Sequence, residues 1–88
     1  MALINIPSAM RKVTGGQAKV EVPGATVGEA LDELERLHPG IRDRLVEDDR
    51  VRGGLALFVD GEMPRGGLRT ALKPESEVYF APAVAGGC

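Results

Sequence analysis

The chain has 88 residues and a mass of 9.3 kDa, which leaves room for one small domain. Eleven basic and thirteen acidic residues give a formal net charge of −2, too balanced for a nucleic-acid-binding surface. No apolar run approaches the roughly 18 residues that span a bilayer, and no signal-peptide pattern opens the chain. The single cysteine cannot form an internal disulfide. We therefore expect a cytoplasmic protein that binds neither nucleic acid nor membrane.

Residue types that bind metals or bases are scarce. His38 and Cys88 are the only histidine and cysteine, which leaves no plausible intrinsic zinc site. Tryptophan is absent, and Phe58, Tyr79 and Phe80 are the only aromatic residues, too few for a platform on which bases stack. We expect no catalytic residue and no cofactor bound by the chain itself.

The first elements are predicted as a β-hairpin. Residues 2–6 are apolar and end at Pro7, and residues 18–22 alternate between apolar and polar, as in a strand with one wet face. The turn between them is assigned to residues 14–17, which include Gly15-Gly16.

The clearest helix start is at Thr26. Thr26 and Glu29 have the spacing of a capping box, in which each side chain accepts a bond from a free backbone N–H. Pro39-Gly40 ends the helix, and Ile41 and Leu45 predict one further apolar turn before the polar residues 47–50. The apolar stripe of the main helix comprises Val27, Ala30, Leu31, Leu34 and Leu37.

The second half reads as three strands. Residues 55–59 are almost continuously apolar, and the turn residues Asp60-Gly61 lead into a short strand predicted at 62–63. After a turn at residues 73–76, the last strand covers residues 77–83. Its alternation places Val78 and Phe80 inward and Tyr79 and Ala81 outward.

The order β-β-α-β-β-β predicts an α+β protein with the β-grasp (ubiquitin-like) arrangement. Its mixed sheet would have four to five strands and be covered by one main helix. Parallel pairing of the first and last strands at the sheet centre needs such a helical crossover. We assign residues 1–83 to the β-grasp domain and residues 84–88 to a flexible Gly-Gly-Cys tail.

The tail carries the most specific chemical signal. Gly86 and Gly87 follow the last strand directly, and extended residues 83–88 reach roughly 20 Å. Because glycine has no side chain, a Gly-Gly stem fits a narrow channel and leaves its carbonyl open to attack. This pattern suits a chain whose acyl end is handled inside another protein.

The whole chain resembles the ThiS/MoaD family of ubiquitin-like sulfur carrier proteins. The ending at residues 80–87, Phe-Ala-Pro-Ala-Val-Ala-Gly-Gly, is similar to the apolar-Pro-x-Val-x-Gly-Gly finish of that family. Ile6-Pro7, the Thr-Gly-Gly-Gln run at 14–17 and the Gly-Gly-Leu run at 66–68 look like the CysO-type branch, whose carriers serve cysteine biosynthesis.

The resemblance implies a protein co-substrate and not an enzyme. An E1-like enzyme would use ATP and magnesium to adenylate Gly87, and a sulfur donor would displace AMP to leave a thiocarboxylate. Gly86 would be the neighbour that fits the channel. A cysteine synthase-like or other acceptor enzyme would then receive the sulfur.

Cys88 departs from the family pattern, because it lies beyond the diglycine and blocks adenylation of Gly87. In one interpretation Cys88 is an encoded cap that a JAMM-type zinc metalloprotease removes. In another, Gly87-Cys88 is the cysteine adduct with which the CysO-like route ends, before the same protease releases it. A third interpretation makes Cys88 an inert thiol.

Docking and two alternative functions complete these expectations. Outward apolar residues near the last strand, Phe58, Ala81 and Pro82, are candidates for contact with the activating enzyme, although Phe58 is equally suited to the core. The chain could instead be a ubiquitin-like modifier, in which Gly87 is joined to lysines of other proteins. It could also be the small subunit of a molybdopterin synthase.

Overall fold

The computed structural model describes residues 1–48, 50–52 and 54–82. Its central feature is a four-stranded mixed sheet, accompanied by a separate two-stranded hairpin. The strands in chain order are β1 (Ala2–Asn5), β2 (Lys19–Val22), β3 (Val46–Glu47), β4 (Arg50–Val51), β5 (Leu55–Val59) and β6 (Glu77–Pro82).

The central sheet has the order β2-β1-β6-β5. β1 and β6 are parallel neighbours at its centre, with Ile4 opposite Val78, and β2 pairs antiparallel to β1, with Val20 opposite Ile4. β5 pairs antiparallel to β6, with Phe58 opposite Tyr79. The predicted parallel pairing of the first and last strands is confirmed, and it leaves β2 and β5 as the two edges.

The main helix, α1 (Val27–Leu37), begins where the capping box predicts. The Thr26 hydroxyl accepts a bond from the Glu29 N–H at 3.2 Å. The Glu29 carboxylate accepts from the Ala25 N–H at 3.1 Å, one residue before the usual partner. The cap therefore fixes both the start of α1 and the chain that enters it.

A second helix, α2 (Ile41–Leu45), follows the turn at Gly40, whose φ is 99°. Ile41 and Leu45 are fully buried, so the predicted further apolar turn is confirmed. Leu37, predicted to lie on the buried stripe, is instead 49% exposed. The chain turns after α1, and the side chains of α2 fill the core beyond the last turn.

The core lies between α1 and one face of the central sheet. Alternate residues of each strand point into it, and α1 contributes one stripe of side chains. The buried sheet residues are Ala2, Ile4, Val20, Val22, Leu57, Val59, Val78 and Phe80, and those of α1 are Val27, Ala30, Leu31 and Leu34. A mixed sheet covered by one main helix is the β-grasp arrangement, and the predicted fold class is confirmed.

Two predicted connections differ from those observed. The turn predicted at residues 14–17 is confirmed by a bond of 3.3 Å from the Gln17 N–H to the Thr14 carbonyl, but the β1–β2 connection is longer than that turn, because a 3-10 turn at Ser8–Met10 precedes it. The Asp60-Gly61 turn is confirmed, but the strand predicted at 62–63 is only an isolated bridge between Val59 and Glu62. The next hydrogen-bonded pair would need an N–H from Pro64, which proline lacks.

The β3–β4 hairpin lies within the stretch predicted as a polar run, where no strand is expected from the pattern. Val46 pairs with Val51, and Glu47 pairs with Arg50. Each strand has only two residues, too short for alternation to reveal it. A second 3-10 turn covers Gly67–Arg69, and no helix in the described ranges is long and apolar enough to cross a membrane.

Candidate functional site

The Gly-Gly segment follows β6 in the chain, and hydrogen bonds at the start of β6 hold this strand in the sheet. At its N-terminal end, the Asp60 carboxylate accepts bonds from the Glu77 N–H and the Ser76 hydroxyl, both at 2.9 Å. These two bonds, the Glu77 one foremost, hold the pKa of Asp60 below its ordinary value of 3.8. Asp60 thus ties the β5 turn to the start of β6.

The side of β6 that faces β1 carries a second anchor. The Asn5 side-chain amide donates to the Glu77 carboxylate at 3.0 Å and to the Val78 carbonyl at 3.1 Å. Parallel pairing ends at the next step, where Asn5 lies opposite Tyr79. The next N–H on this side of β1 would come from residue 7, which is Pro7 and has none, so in the described part of the chain the last residues of β6 pair only with β5.

The sheet face opposite α1 is the candidate docking face, defined here by Ala56, Phe58, Tyr79 and Ala81. Phe58 lies directly opposite Tyr79, and Ala56 lies opposite Ala81. Phe58 is half-buried and Tyr79 is 44% exposed. Two aromatic rings and two alanines therefore form an uncovered apolar surface beside the end of β6.

This arrangement answers the question left open for Phe58. Its neighbours Leu57 and Val59 point into the core, and strand alternation places Phe58 on the other face. The structure therefore brings Phe58 and Ala81 to one face. Tyr79 joins them; its outward direction is predicted from alternation, but it is missing from the predicted docking residues.

A groove of about 480 Å³ flanks the end of β6. Pro7 and Met10 line it on the side of the 3-10 turn, and Leu55, Tyr79 and Ala81 line it on the side of the sheet. The groove exists because β1 separates from β6 after Asn5. The groove and the docking face share Tyr79 and Ala81.

The other predicted site residues lie at the edge of the described residues or outside them. The Pro82 backbone pairs with Leu55 at the end of β6, whereas Gly86, Gly87 and Cys88 lie outside the described residues. The predicted domain boundary after Ala83 also falls there and stays a prediction. Within the described ranges, no group of three or more histidine, cysteine or acidic side chains could hold a metal ion.

Comparisons with known proteins agree with the fold. The sequence matches the ThiS family from residue 4 to residue 87. It is 36% identical to the sulfur carrier protein CysO of Mycobacterium tuberculosis over 89 residues, 96% of each chain. It is also 37% identical to small archaeal modifier protein 3 of Haloferax volcanii over 65 residues, which cover 72% of this chain and 71% of the other.

Solved structures give the same result in three dimensions. CysO in the crystal structure of the Amycolatopsis orientalis BexX/CysO complex has a TM-score of 0.89 and 38% identity, with 99% of this chain and 100% of that chain covered. The crystal structure of Mycobacterium tuberculosis CysO has a TM-score of 0.88. The family match covers nearly the whole sequence and reaches the second glycine of the diglycine. The chain therefore belongs to the ThiS family.

Proposed function

We propose that this chain is a sulfur carrier whose Gly87 becomes a thiocarboxylate and donates sulfide for the synthesis of cysteine or a related thiometabolite. One observation carries the proposal: the family match extends to residue 87, so it includes a diglycine that follows the central strand β6 after three residues. β6, the strand that precedes the diglycine in the chain, is a central strand of the sheet, which supports the proposal.

The proposed chemistry begins at the Gly87 carboxylate. In an E1-like enzyme, this carboxylate attacks the α-phosphorus of magnesium-bound ATP, which forms an acyl-adenylate and releases pyrophosphate. Sulfide then attacks the acyl carbon, so that a C–S bond forms and the bond to AMP breaks. No oxidation state changes, and ATP, magnesium and sulfide are all bound by the partner enzyme rather than by this chain.

The carboxylate must first be freed from Cys88. We propose that a JAMM-type metalloprotease hydrolyses the Gly87–Cys88 amide with a zinc-bound water, which yields the Gly87 carboxylate and free cysteine. The same reaction would release cysteine from a carrier–cysteine adduct, since the bond is identical. The acceptor would be a cysteine synthase-like or other enzyme, and the cycle would run in the cytoplasm.

The carrier reaches its enzymes by docking, and the docking face supports this role. Its paired aromatic residues, Phe58 and Tyr79, lie next to the strand end that leads to the stem. A relative with a TM-score of 0.89 was solved in a complex with BexX, which supports binding of this fold to a partner protein. We propose that the E1-like enzyme covers the docking face while the stem enters its active site.

ATP–pyrophosphate exchange by the E1-like enzyme of the same organism tests the first step. A variant that ends at Gly87 should support exchange, whereas the full chain should support it only after treatment with the protease. A variant that ends at Gly86 is the matched control, and it should be much less active because its carboxylate lies one residue, about 3.3 Å, short. Equal exchange with all three chains would contradict the proposal.

One observation favours a second function, protein modification. The chain is 37% identical over 65 residues to a protein named as a small archaeal modifier. The same adenylated Gly87 would then be attacked by the amine of a lysine, and an isopeptide would form instead of a thiocarboxylate. Conjugates that persist in denaturing gels and disappear in the variant that ends at Gly86 would establish this function.

A further inference from the structure

The outer edge of β5 carries a backbone N–H and a backbone C=O that have no backbone partner among the residues that the structure describes. The Asp60 N–H donates to the Glu77 carbonyl, its partner in the β5–β6 register. Hydrogen-bonded pairs recur every second residue, so Leu57 directs its N–H and C=O away from β6. In the described part of the chain, neither group has a backbone partner.

Pro64 is the reason that this edge stays open. The Val59–Glu62 bridge starts a second antiparallel ladder along β5, with bonds of 2.8 and 3.1 Å. Its next hydrogen-bonded pair would be Leu57 with Pro64, and proline has no N–H to donate. The chain instead leaves the edge and returns through the 3-10 turn at residues 67–69.

A groove of about 450 Å³ lies along this open edge. Its apolar lining includes Leu55, Leu57, Leu68 and Met63, and Met63 is 66% exposed. An edge with unpaired backbone groups and an apolar groove is where an extended segment of another protein adds as a strand.

The charge of the groove indicates what such a segment carries. Three arginines, Arg50, Arg65 and Arg69, line the groove, and none of its other described lining residues is acidic, although the whole chain has a net charge of −2. All three are exposed, and in the described ranges none forms an ion pair. The local charge is therefore available to carboxylates of a partner.

We propose that the open edge of β5 binds a short, extended, acidic segment of a partner protein by strand addition. The segment exchanges hydrogen bonds with Leu57, packs apolar side chains in the groove and places carboxylates beside the arginines. The proposed surface is formed by described residues of β4, of β5 and of the segment 63–69.

A short capped peptide of alternating glutamate and valine is the probe, titrated at neutral pH into the full-length protein labelled with nitrogen-15. We expect saturable binding, with the largest change in amide chemical shift at Leu57. The hydrogen exchange of the Leu57 amide with solvent should also become slower. The double variant R65E/R69E should bind the peptide at least about tenfold more weakly than the parent. K19E makes a charge change of the same kind on β2, the opposite edge of the sheet, and should bind as the parent does.

Two N-methylated peptides separate strand addition from charge attraction. One is methylated at its glutamate amides and the other at its valine amides, so at least one loses the N–H groups that face β5 and must fail to bind. The proposal would be overturned if the two methylated peptides bound equally well. It would also be overturned if K19E weakened binding as much as R65E/R69E does, or if the parent did not bind the peptide.

The edge could instead be a surface that the arginines merely protect from self-pairing. Sedimentation equilibrium of the parent and of R65S/R69S, in which the charge is removed and not reversed, decides this point, with circular dichroism to show that both are folded. We expect both to be monomers. A dimer that forms only when the arginines are removed would overturn the proposal.

Discussion

At the scale of single residues, the side chain of Glu35 joins the two helices α1 and α2. Gly40, the residue before α2, has no side chain with which to cap that helix. The Glu35 carboxylate of α1 supplies the cap, because it accepts bonds from the Gly40 and Arg42 N–H groups, both at 2.9 Å. These bonds, first that of Gly40 and then that of Arg42, lower the pKa of Glu35 from 4.5.

Glu35→Gln replaces one of the two acceptor oxygens with an NH2 group and should therefore destabilise the protein by about 1 kcal/mol at neutral pH, the usual cost of a lost capping bond. The pKa is lowered in the folded state, so the stabilisation is complete above 4.5 and is lost as the pH falls through the folded-state pKa. Urea unfolding of parent and variant across this range should converge at acid pH. Glu33→Gln, which removes an exposed ion pair with Arg36, should cost less; a larger loss there would contradict this account.

At Gly24 the chain that leads into α1 lies close against the backbone of Ala30. A Cβ added to Gly24 would lie 2.6 Å from the Ala30 backbone nitrogen, so the chain entering α1 would have to shift. We expect Gly24→Ala to destabilise the protein by about 1–3 kcal/mol in thermal unfolding.

Gly66→Ala is a matched control for this contact. Its added Cβ would lie 3.2 Å from the Thr70 side-chain oxygen and 3.3 Å from the Thr70 backbone nitrogen, so a smaller shift relieves these contacts than the 2.6 Å contact at Gly24. A loss as large as that of Gly24→Ala would show that the close approach at Ala30 is not the cause.

At the scale of the element, β6 depends on the Asp60 carboxylate at its start. Asp60→Asn keeps the side-chain size, and asparagine tolerates the positive φ of 53° at this position. Because the pKa of Asp60 is below 3.8 in the folded state, its stabilisation is present above that value and lost as the pH falls further. As the pH is lowered, the urea concentration at which half of the protein is unfolded should fall less for the variant than for the parent. An equal fall for both would contradict the role of Asp60.

The docking face provides a prediction that separates binding from folding. Phe58→Ser should raise the KM of the E1-like enzyme for the carrier about tenfold or more, because it removes an aromatic contact from the predicted interface. It should change stability little, because Phe58 points away from the core. Glu21→Ser, also on the outer face but on β2, should leave the KM unchanged, and an equal effect of both variants would contradict the interface.

The elements predicted from sequence are those whose signal is local and repeated. α1 has a capping box and a stripe of four buried residues, and β5 is an uninterrupted apolar run, so the start of α1 and both ends of β5 are predicted where they are observed. The β3–β4 hairpin has two residues in each strand and no pattern to read. The bridge at Glu62 fails to extend because Pro64 lacks an N–H, a consequence of pairing register that alternation alone does not reveal.

At the scale of the whole molecule, the family and the fold are predicted from the sequence and confirmed by the comparisons. The docking face depends on which residues of β5 and β6 lie opposite each other, and this register brings Tyr79 beside Phe58. The groove along the outer edge of β5 is formed by residues far apart in sequence, Arg50 and Arg65 among them. The roles of Gly86, Gly87 and Cys88 remain predictions.

The intact mass of the protein isolated from its own host tests whether Gly87 is freed and carries sulfur. We expect a species that ends at Gly87, with one terminal oxygen replaced by sulfur. Such a species would establish removal of Cys88 and sulfur carriage in one measurement. Only full-length protein, unchanged after incubation with a JAMM-type protease, the E1-like enzyme, ATP and sulfide, would contradict the account.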